Sequence, residues 1–188
     1  SIYKKHSTAL EKIANIIYFS PRGCEKSEAG DLHTYDMETY VEDIKAIAEF
    51  FNLEKVCLLG TSYGSMCALS FAVKYPEKLH ALILGSPVAS HEFLLYAKRN
   101  IAKMETEEQQ AQAEKLLIGD FHSEDEVLKF FTIMAPVYSD KARDSGVEQS
   151  YFKFPPGSYN WRALIEGFQA PKGFLHQFDV SAQLSEIS

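Results

Sequence analysis

Up to Ser90, the apolar positions of this chain alternate between short continuous runs and helix-spaced stripes. Asn15 to Ser20 is a short apolar, partly β-branched run, closed by Pro21 and Gly23, and reads as a strand followed by a turn. Glu25 to His33 is polar and loop-like. Met37, Tyr40, Val41, Ile44, Ile47, Ala48 and Phe51 then share one face at α-helical spacing, with Thr34 or Asp36 placed to cap the start. Lys55 to Gly60 carries the continuous run Val56-Cys57-Leu58-Leu59, the pattern of a parallel strand covered on both faces. Gly64 to Tyr75 reads as a mostly apolar helix ended by Pro76. Ala81-Leu82-Ile83-Leu84 makes a third strand, stopped by Gly85-Ser86-Pro87. Strand, helix, strand, helix, strand is the order of a doubly wound α/β sheet.

After Ser90 the rhythm becomes helical throughout. His91 to Met104, Thr106 to Ile118 and Ser123 to Met134 read as helices, and the latter two open with the capping-box patterns Thr106-x-x-Gln109 and Ser123-x-x-Glu126. Tyr151 to Phe178 is rich in aromatic residues, broken by Pro155-Pro156-Gly157. Residues 90–178 are therefore expected to form a mainly helical insertion beside the sheet. Residues 1–89 form the central part of the core, and 179–188 return to it, with a further α/β element beginning at Leu184.

Composition narrows the partners more than the fold. Of 188 residues, 46% are hydrophobic and 24% charged, enough apolar content for a packed core. The net charge of -7 disfavours nucleic acid and anionic membrane surfaces, which reward clustered Lys and Arg. Cys24, Cys57 and Cys67 lack metal-type spacing; Cys57 and Cys67 lie in apolar runs and read as small buried hydrophobes. The expectation is a cytoplasmic protein with no metal and no cofactor. No apolar run is long enough to span a membrane as a helix. Oligomeric state is not readable from the sequence.

The candidate chemistry lies in Gly60-Thr61-Ser62-Tyr63-Gly64. A Gly-x-Ser-x-Gly run directly after an apolar strand and directly before a helix has the context of a nucleophile elbow, a sharp turn that exposes the serine at the sheet edge. The flanking glycines are expected to remove Cβ atoms that would clash in so tight a turn. The alternative is an ordinary glycine-rich turn with a surface serine. As nucleophile, Ser62 would need a histidine base and a carboxylate to orient it, while the backbone N–H of Tyr63 would donate to the developing oxyanion. In this arrangement the acid and the histidine follow the serine along the chain. His6 and His33 precede Ser62, and His80 starts a strand at the wrong end. His91 and His122 fall in or near the insertion helices, and His176 follows no strand-like run. Each reads as a surface or packing histidine.

The sequence here resembles the proline iminopeptidases and their prolyl-aminopeptidase relatives in the α/β-hydrolase superfamily. Tyr18-Phe19-Ser20-Pro21-Arg22-Gly23-Cys24-Glu25-Lys26-Ser27 is similar to that family's strand and turn, D-Q-R-G-x-G-x-S. Leu58-Leu59-Gly60-Thr61-Ser62-Tyr63-Gly64-Ser65 is similar to its elbow. Tyr75-Pro76-Glu77-Lys78-Leu79, with Leu82-Ile83-Leu84-Gly85-Ser86-Pro87, resembles its next helix end and strand. Phe178-Asp179-Val180, with Leu184-Ser185-Glu186-Ile187, resembles its return from cap to core. Ser20-Pro21 replaces the family's Asp-Gln, and Glu25 stands at its second turn glycine. Dehalogenases and epoxide hydrolases of this superfamily place Asp where Ser62 stands and fit less well.

The resemblance implies an α/β fold, an α/β-hydrolase-type parallel sheet, partial here, with a mainly helical cap insertion. It implies a serine aminopeptidase that releases N-terminal proline or another residue from short peptides, and a cap carboxylate that holds the substrate's α-amino group. Glu166 is the carboxylate it carries over; read alone, Glu166 is an exposed helix-face glutamate, and Trp161 and Phe168 are cap core. It also places the family's H-G-G-P-G oxyanion loop before residue 1 and the acid and base beyond residue 188, so the 188-residue chain is expected to be inactive or nearly so, and prone to associate through exposed sheet edges and apolar faces. A capped esterase or other small-molecule hydrolase with the same serine, acting on a small acyl substrate, is the second reading. A non-catalytic binding module of the same fold is the third.

Overall fold

In the computed structural model, residues 8–138, 157–158 and 160–187 are described. Helix α1 (Met37–Phe50) starts where Asp36 accepts the Thr39 N–H at 2.7 Å, so Asp36 rather than Thr34 is the cap. Strand β1 (Val56–Thr61) leads through Ser62 into helix α2 (Tyr63–Lys74), and a short 3-10 turn at Pro76–Lys78 delivers the chain to strand β2 (Leu79–Gly85). The strands pair in parallel, Cys57 opposite Ala81 and Thr61 opposite Gly85, with an irregularity between Val56 and Cys57. Parallel neighbours require a crossover of this kind, and α2 supplies it.

Among the described residues, the sheet is covered on one side. Val56 and Leu58 turn toward α1 and α2, where Tyr35, Tyr40, Val41, Ile44, Cys67 and Phe71 make a buried cluster. The opposite face carries Cys57, Leu59, Ala81 and Ile83, and Leu59 and Ile83 are 53% and 54% exposed. Cys57 is therefore exposed, not the buried hydrophobe expected of it, whereas Cys67 is buried. The expectation of cover on both faces fails for a local reason: the helices packed on β1 and β2 lie on one side.

The expected strand at Asn15 to Ser20 is also absent. Half-buried Ile16, Tyr18 and Ser20 alternate with exposed Asn15, Ile17 and Phe19, the period of an extended chain. No second strand pairs with them among the described residues, so the apolar run has the rhythm of a strand without its ladder. The element anticipated at Leu184 is instead a 3-10 turn over Ser181–Glu186.

Beyond β2 come helices α3 (Glu92–Ile101), α4 (Glu107–Ile118), α5 (Glu124–Tyr138) and α6 (Trp161–Phe168). Thr106 closes a complete capping box with Gln109 at the start of α4. At α5 the box is half made: Glu126 N–H reaches Ser123 Oγ at 3.3 Å, but the Glu126 carboxylate accepts from the His122 N–H and from Lys115. Ile101, Ala113, Phe121, Val127, Phe130 and Met134 form the core of this helical layer. Pro155 and Pro156, expected as a break, lie outside the described residues. A third cluster, Met66, Leu175 and Phe178, joins α2 to the chain returning from α6. There Ser90 and Asp179 form an antiparallel bridge: His91 N–H donates to Phe178 O at 2.5 Å and Val180 N–H to Ala89 O at 2.8 Å.

Candidate active site

The turn between β1 and α2 is narrow because Gly60 permits it. A Cβ at Gly60 would lie 2.2 Å from Gly64 O and 2.8 Å from Ser65 N, so strand and helix touch backbone to backbone. Gly64 differs from expectation: a Cβ there meets nothing within 4 Å, so one glycine of the pair, not both, is required by the turn's sterics. Between them Ser62 adopts φ 55°, ψ -123°, a region that a residue with a side chain holds only when its surroundings fix it.

Those surroundings are hydrogen bonds to the end of β2 and to the first turn of α2. Ser62 N–H donates to Gly85 O at 2.8 Å, and Ser62 O accepts from Ser65 N–H at 2.8 Å. Ser65, fully buried, turns its hydroxyl back toward Gly85 O at 2.6 Å, with Gly60 O at 2.9 Å also within reach. Sequence pattern does not single out Ser65; the available signal is a hydroxyl in an otherwise apolar helix.

Ser62 occupies the N-cap of α2, where serine normally turns its oxygen onto a first-turn N–H. Its side chain makes no such bond, and the residue is exposed. The caps of α1, α4 and α6 (Asp36, Thr106 and Asn160) all use their side chains. The Ser62 hydroxyl is thus presented outward, beside first-turn N–H groups that have no intrahelical acceptor and at the positive end of the helix dipole. Tyr63 supplies the first of these N–H groups.

The Tyr63 side chain points the other way. Its ring packs edge-on against Tyr40 (centroids 5.6 Å apart) and against Phe174 (6.2 Å). Burial raises its hydroxyl well above the ordinary phenol value and pushes the neighbouring Cys67 thiol up to about 12, so both are neutral packing groups. Through Phe174, Tyr63 touches the segment that follows α6.

Glu166 lies on α6 and is half-buried, where an exposed position is the bland expectation. It makes no hydrogen bond or ion pair among the described residues. The loop before α1 is tied down separately. Arg22 grips Asp43 of α1 with two parallel bonds of 2.8 and 2.5 Å, and Gly23 (φ 73°) packs where a Cβ would strike Asn160 and Tyr35. Glu25, standing where the resembled turn has glycine, is held at φ 52°.

The histidines do not converge on Ser62. His33 and His80 are exposed, His80 at the start of β2 and so at the end of the sheet away from Ser62. His91 is exposed at the start of α3, His122 is exposed beside Asp120 (2.9 Å), and His176 Nε2 donates to Phe168 O at 3.0 Å. His6 lies outside the described residues. A cavity of about 350 Å³ opens in the helical layer between Asn100, Met104, Gln109 and Pro136, and no residue of the β1–α2 turn lines it.

Residues 6–117 match the family model described as alpha/beta hydrolase fold. The chain is 28% identical over 187 residues to a proline iminopeptidase of Lactobacillus acidophilus, covering 95% of this chain and 64% of that protein. It is 36% identical over 116 residues to the proline iminopeptidase of Lactobacillus helveticus, covering 58% of this chain and 39% of that one. The chain thus spans less than two thirds of the length of these relatives. Among solved structures, an alpha/beta fold family hydrolase from Bacillus anthracis superposes with a TM-score of 0.65 at 21% identity, over 90% of this chain and 60% of that one. An epoxide hydrolase from Bacillus megaterium superposes with a TM-score of 0.61 at 18% identity, over 94% of this chain and 62% of that one. At those identities the likeness is one of fold.

Proposed function

Because this chain belongs to the α/β-hydrolase fold family, we propose that it is a serine hydrolase with Ser62 as nucleophile, and specifically an aminopeptidase of the proline iminopeptidase type. The observation that carries the reading is the N-cap serine whose hydroxyl caps nothing: exposed, at positive φ, at the positive end of α2. The likeness to proline iminopeptidases supports the choice of aminoacyl substrate over a simple ester.

On this reading Ser62 Oγ attacks the carbonyl carbon of the N-terminal residue and its proton passes to a histidine base. The tetrahedral oxyanion lies against the Tyr63 N–H. Collapse breaks the C–N bond; the base returns the proton to the departing amine, and the shortened peptide leaves. Water then cleaves the acyl ester by the same path in reverse order. Half-buried Glu166, without a hydrogen bond or ion pair among the described residues, is the group we assign to the substrate's α-ammonium. Residues 90–178 serve as the cap that carries it. No hydrogen bond joins Ser62 to a histidine among the described residues, whose histidine side chains are engaged elsewhere or exposed. We therefore propose that the 188-residue chain by itself turns over slowly at best. We place the protein in the cytoplasm: its three cysteines are unpaired, and no helix among the described residues is long and apolar enough to cross a membrane.

The test is labelling with a fluorophosphonate, followed by peptide mapping and turnover assays on the protein isolated from its source. A single adduct on Ser62, with release of proline from a prolyl arylamide faster than hydrolysis of simple esters, is the expected result. Turnover of esters alone would replace the aminopeptidase by an esterase. Absence of any adduct on Ser62 would remove the hydrolase reading altogether.

A further inference from the structure

We infer that Ser65 is a positioning residue for the Ser62 turn, acting through the carbonyl of Gly85; the inference deepens the hydrolase reading and its catalytic part rests on it. Three facts converge on that carbonyl. Gly85 O accepts the Ser62 N–H at 2.8 Å and the Ser65 hydroxyl at 2.6 Å. The chain reverses on both sides of this point through non-glycine residues at positive φ, Ser62 at 55° and Ser86 at 53°. Ser65 itself is fully buried, so no water competes for its proton.

A serine hydroxyl has one proton to give and two carbonyls in reach, Gly85 O at 2.6 Å and Gly60 O at 2.9 Å. The shorter contact takes the proton, and the second draws on the same donor from the other strand. One side chain therefore contacts the ends of both β1 and β2, three residues after Ser62. An unfavourable backbone conformation persists only where its surroundings over-determine it. The β1–β2 ladder carries the pairing up to Thr61 and Gly85, and at its end Gly85 O receives a second donor, the Ser65 hydroxyl, beside the Ser62 N–H. Removing the hydroxyl leaves the fold intact, since the same helix keeps its apolar packing, but lets the turn relax.

The experiment compares Ser65→Ala with Ser70→Ala. Ser70 lies about 1.4 turns along the same helix and is buried, and its hydroxyl has no hydrogen-bond partner among the described residues, so its truncation repeats the chemical change without the contact. Amide hydrogen exchange is read at Ser62–Ser65 and, as reference, at Tyr40–Ile44 of α1. The expected result is exchange about tenfold faster at Ser62–Ser65 in Ser65→Ala, the loss of roughly one hydrogen bond's worth of protection. The reference residues should be unchanged, and Ser70→Ala should behave like the parent. This readout does not depend on activity. Where the parent protein labels at Ser62, Ser65→Ala should in addition slow labelling and lower kcat with KM unchanged. Unaltered exchange at Ser62, or a uniform rise across α1 and α2, would overturn the inference and make Ser65 an ordinary core residue. Failure of the protein isolated from its source to label at Ser62, with the local exchange change present, would strike the hydrolase reading and leave the positioning role standing.

Discussion

Single residues decide the geometry of the β1–α2 turn, and they do so unequally. Gly60 has no room for a methyl group against the Gly64 carbonyl, whereas Gly64 faces open space. Gly60→Ala should therefore destabilise the chain by about 2–3 kcal/mol through overpacking. Gly64→Ala should leave stability unchanged or raise it by up to about 1 kcal/mol, because alanine is the better helix former at the start of α2. Urea unfolding of the two variants separates them, and equal losses would mean that the backbone contact at Gly60 is not the constraint. Ser62, Ser86 and Glu25 are all non-glycine residues at positive φ, each costing of order 1–3 kcal/mol unless held in place. Ser62 is held by bonds to Gly85 and Ser65, and Glu25 by its N–H to Gly157 O and by the Ser20 hydroxyl.

At the level of elements, caps show how far pattern reading reaches. The Thr106 box is complete and local, so four consecutive residues contain everything needed to foresee it. The Ser123 box has the same spelling, yet Glu126 turns to Lys115 of α4 and to the His122 N–H, because a neighbouring helix supplies a cation. Thr106→Ala should cost about 1 kcal/mol and Ser123→Ala about half that, measured by thermal or urea unfolding. The same division runs through the fold. Helices α1 and α2, strands β1 and β2 and the elbow context of Ser62 were legible, since periodicity and glycine spacing are properties of contiguous residues. The missing ladder at Asn15 to Ser20 was not, because a strand exists only with its partner, and Ile16 and Tyr18 keep the alternation without one. Cys57 misled for a similar reason: an apolar run announces that a face can be buried, not that something covers it. The clasp between Ser65 and Gly85 spans twenty residues of sequence and leaves no local trace.

At the largest scale, the described residues cover one side of the sheet and leave the other bare. Leu59 and Ile83 lie opposite each other in register on the bare side and are each more than half exposed. Exposed apolar area of this kind drives association. Leu59→Lys with Ile83→Lys should reduce self-association in sedimentation velocity and change stability by less than about 1 kcal/mol, since little burial is lost. Unchanged sedimentation would show that this face is not the contact. Acid should weaken the fold in a defined sense. Hydrogen bonds lower the carboxyl pKa of Glu25 (from Ser20), Glu42 (from Lys74 and Tyr75), Glu126 (from Lys115) and Asp179 (from the Ser181 N–H). Between the ordinary carboxylate values and the lowered folded ones the unfolded chain binds more protons than the folded one, so the stabilisation present at neutral pH is lost as pH falls through that window. An unfolding midpoint independent of pH from 6 down to about 3 would contradict this. The bridge between Ser90 and Asp179 brings together the two points at which the chain leaves β2 and returns from α6. In polymer terms, the stretch between them is a loop already closed at its base. Because closure entropy grows only with the logarithm of length, doubling such a stretch adds only about 0.6 kcal/mol. Closure therefore sets little limit on the length of the helical layer, and insertions there are tolerated as long as Phe174, Leu175 and Phe178 still reach Tyr63 and Met66.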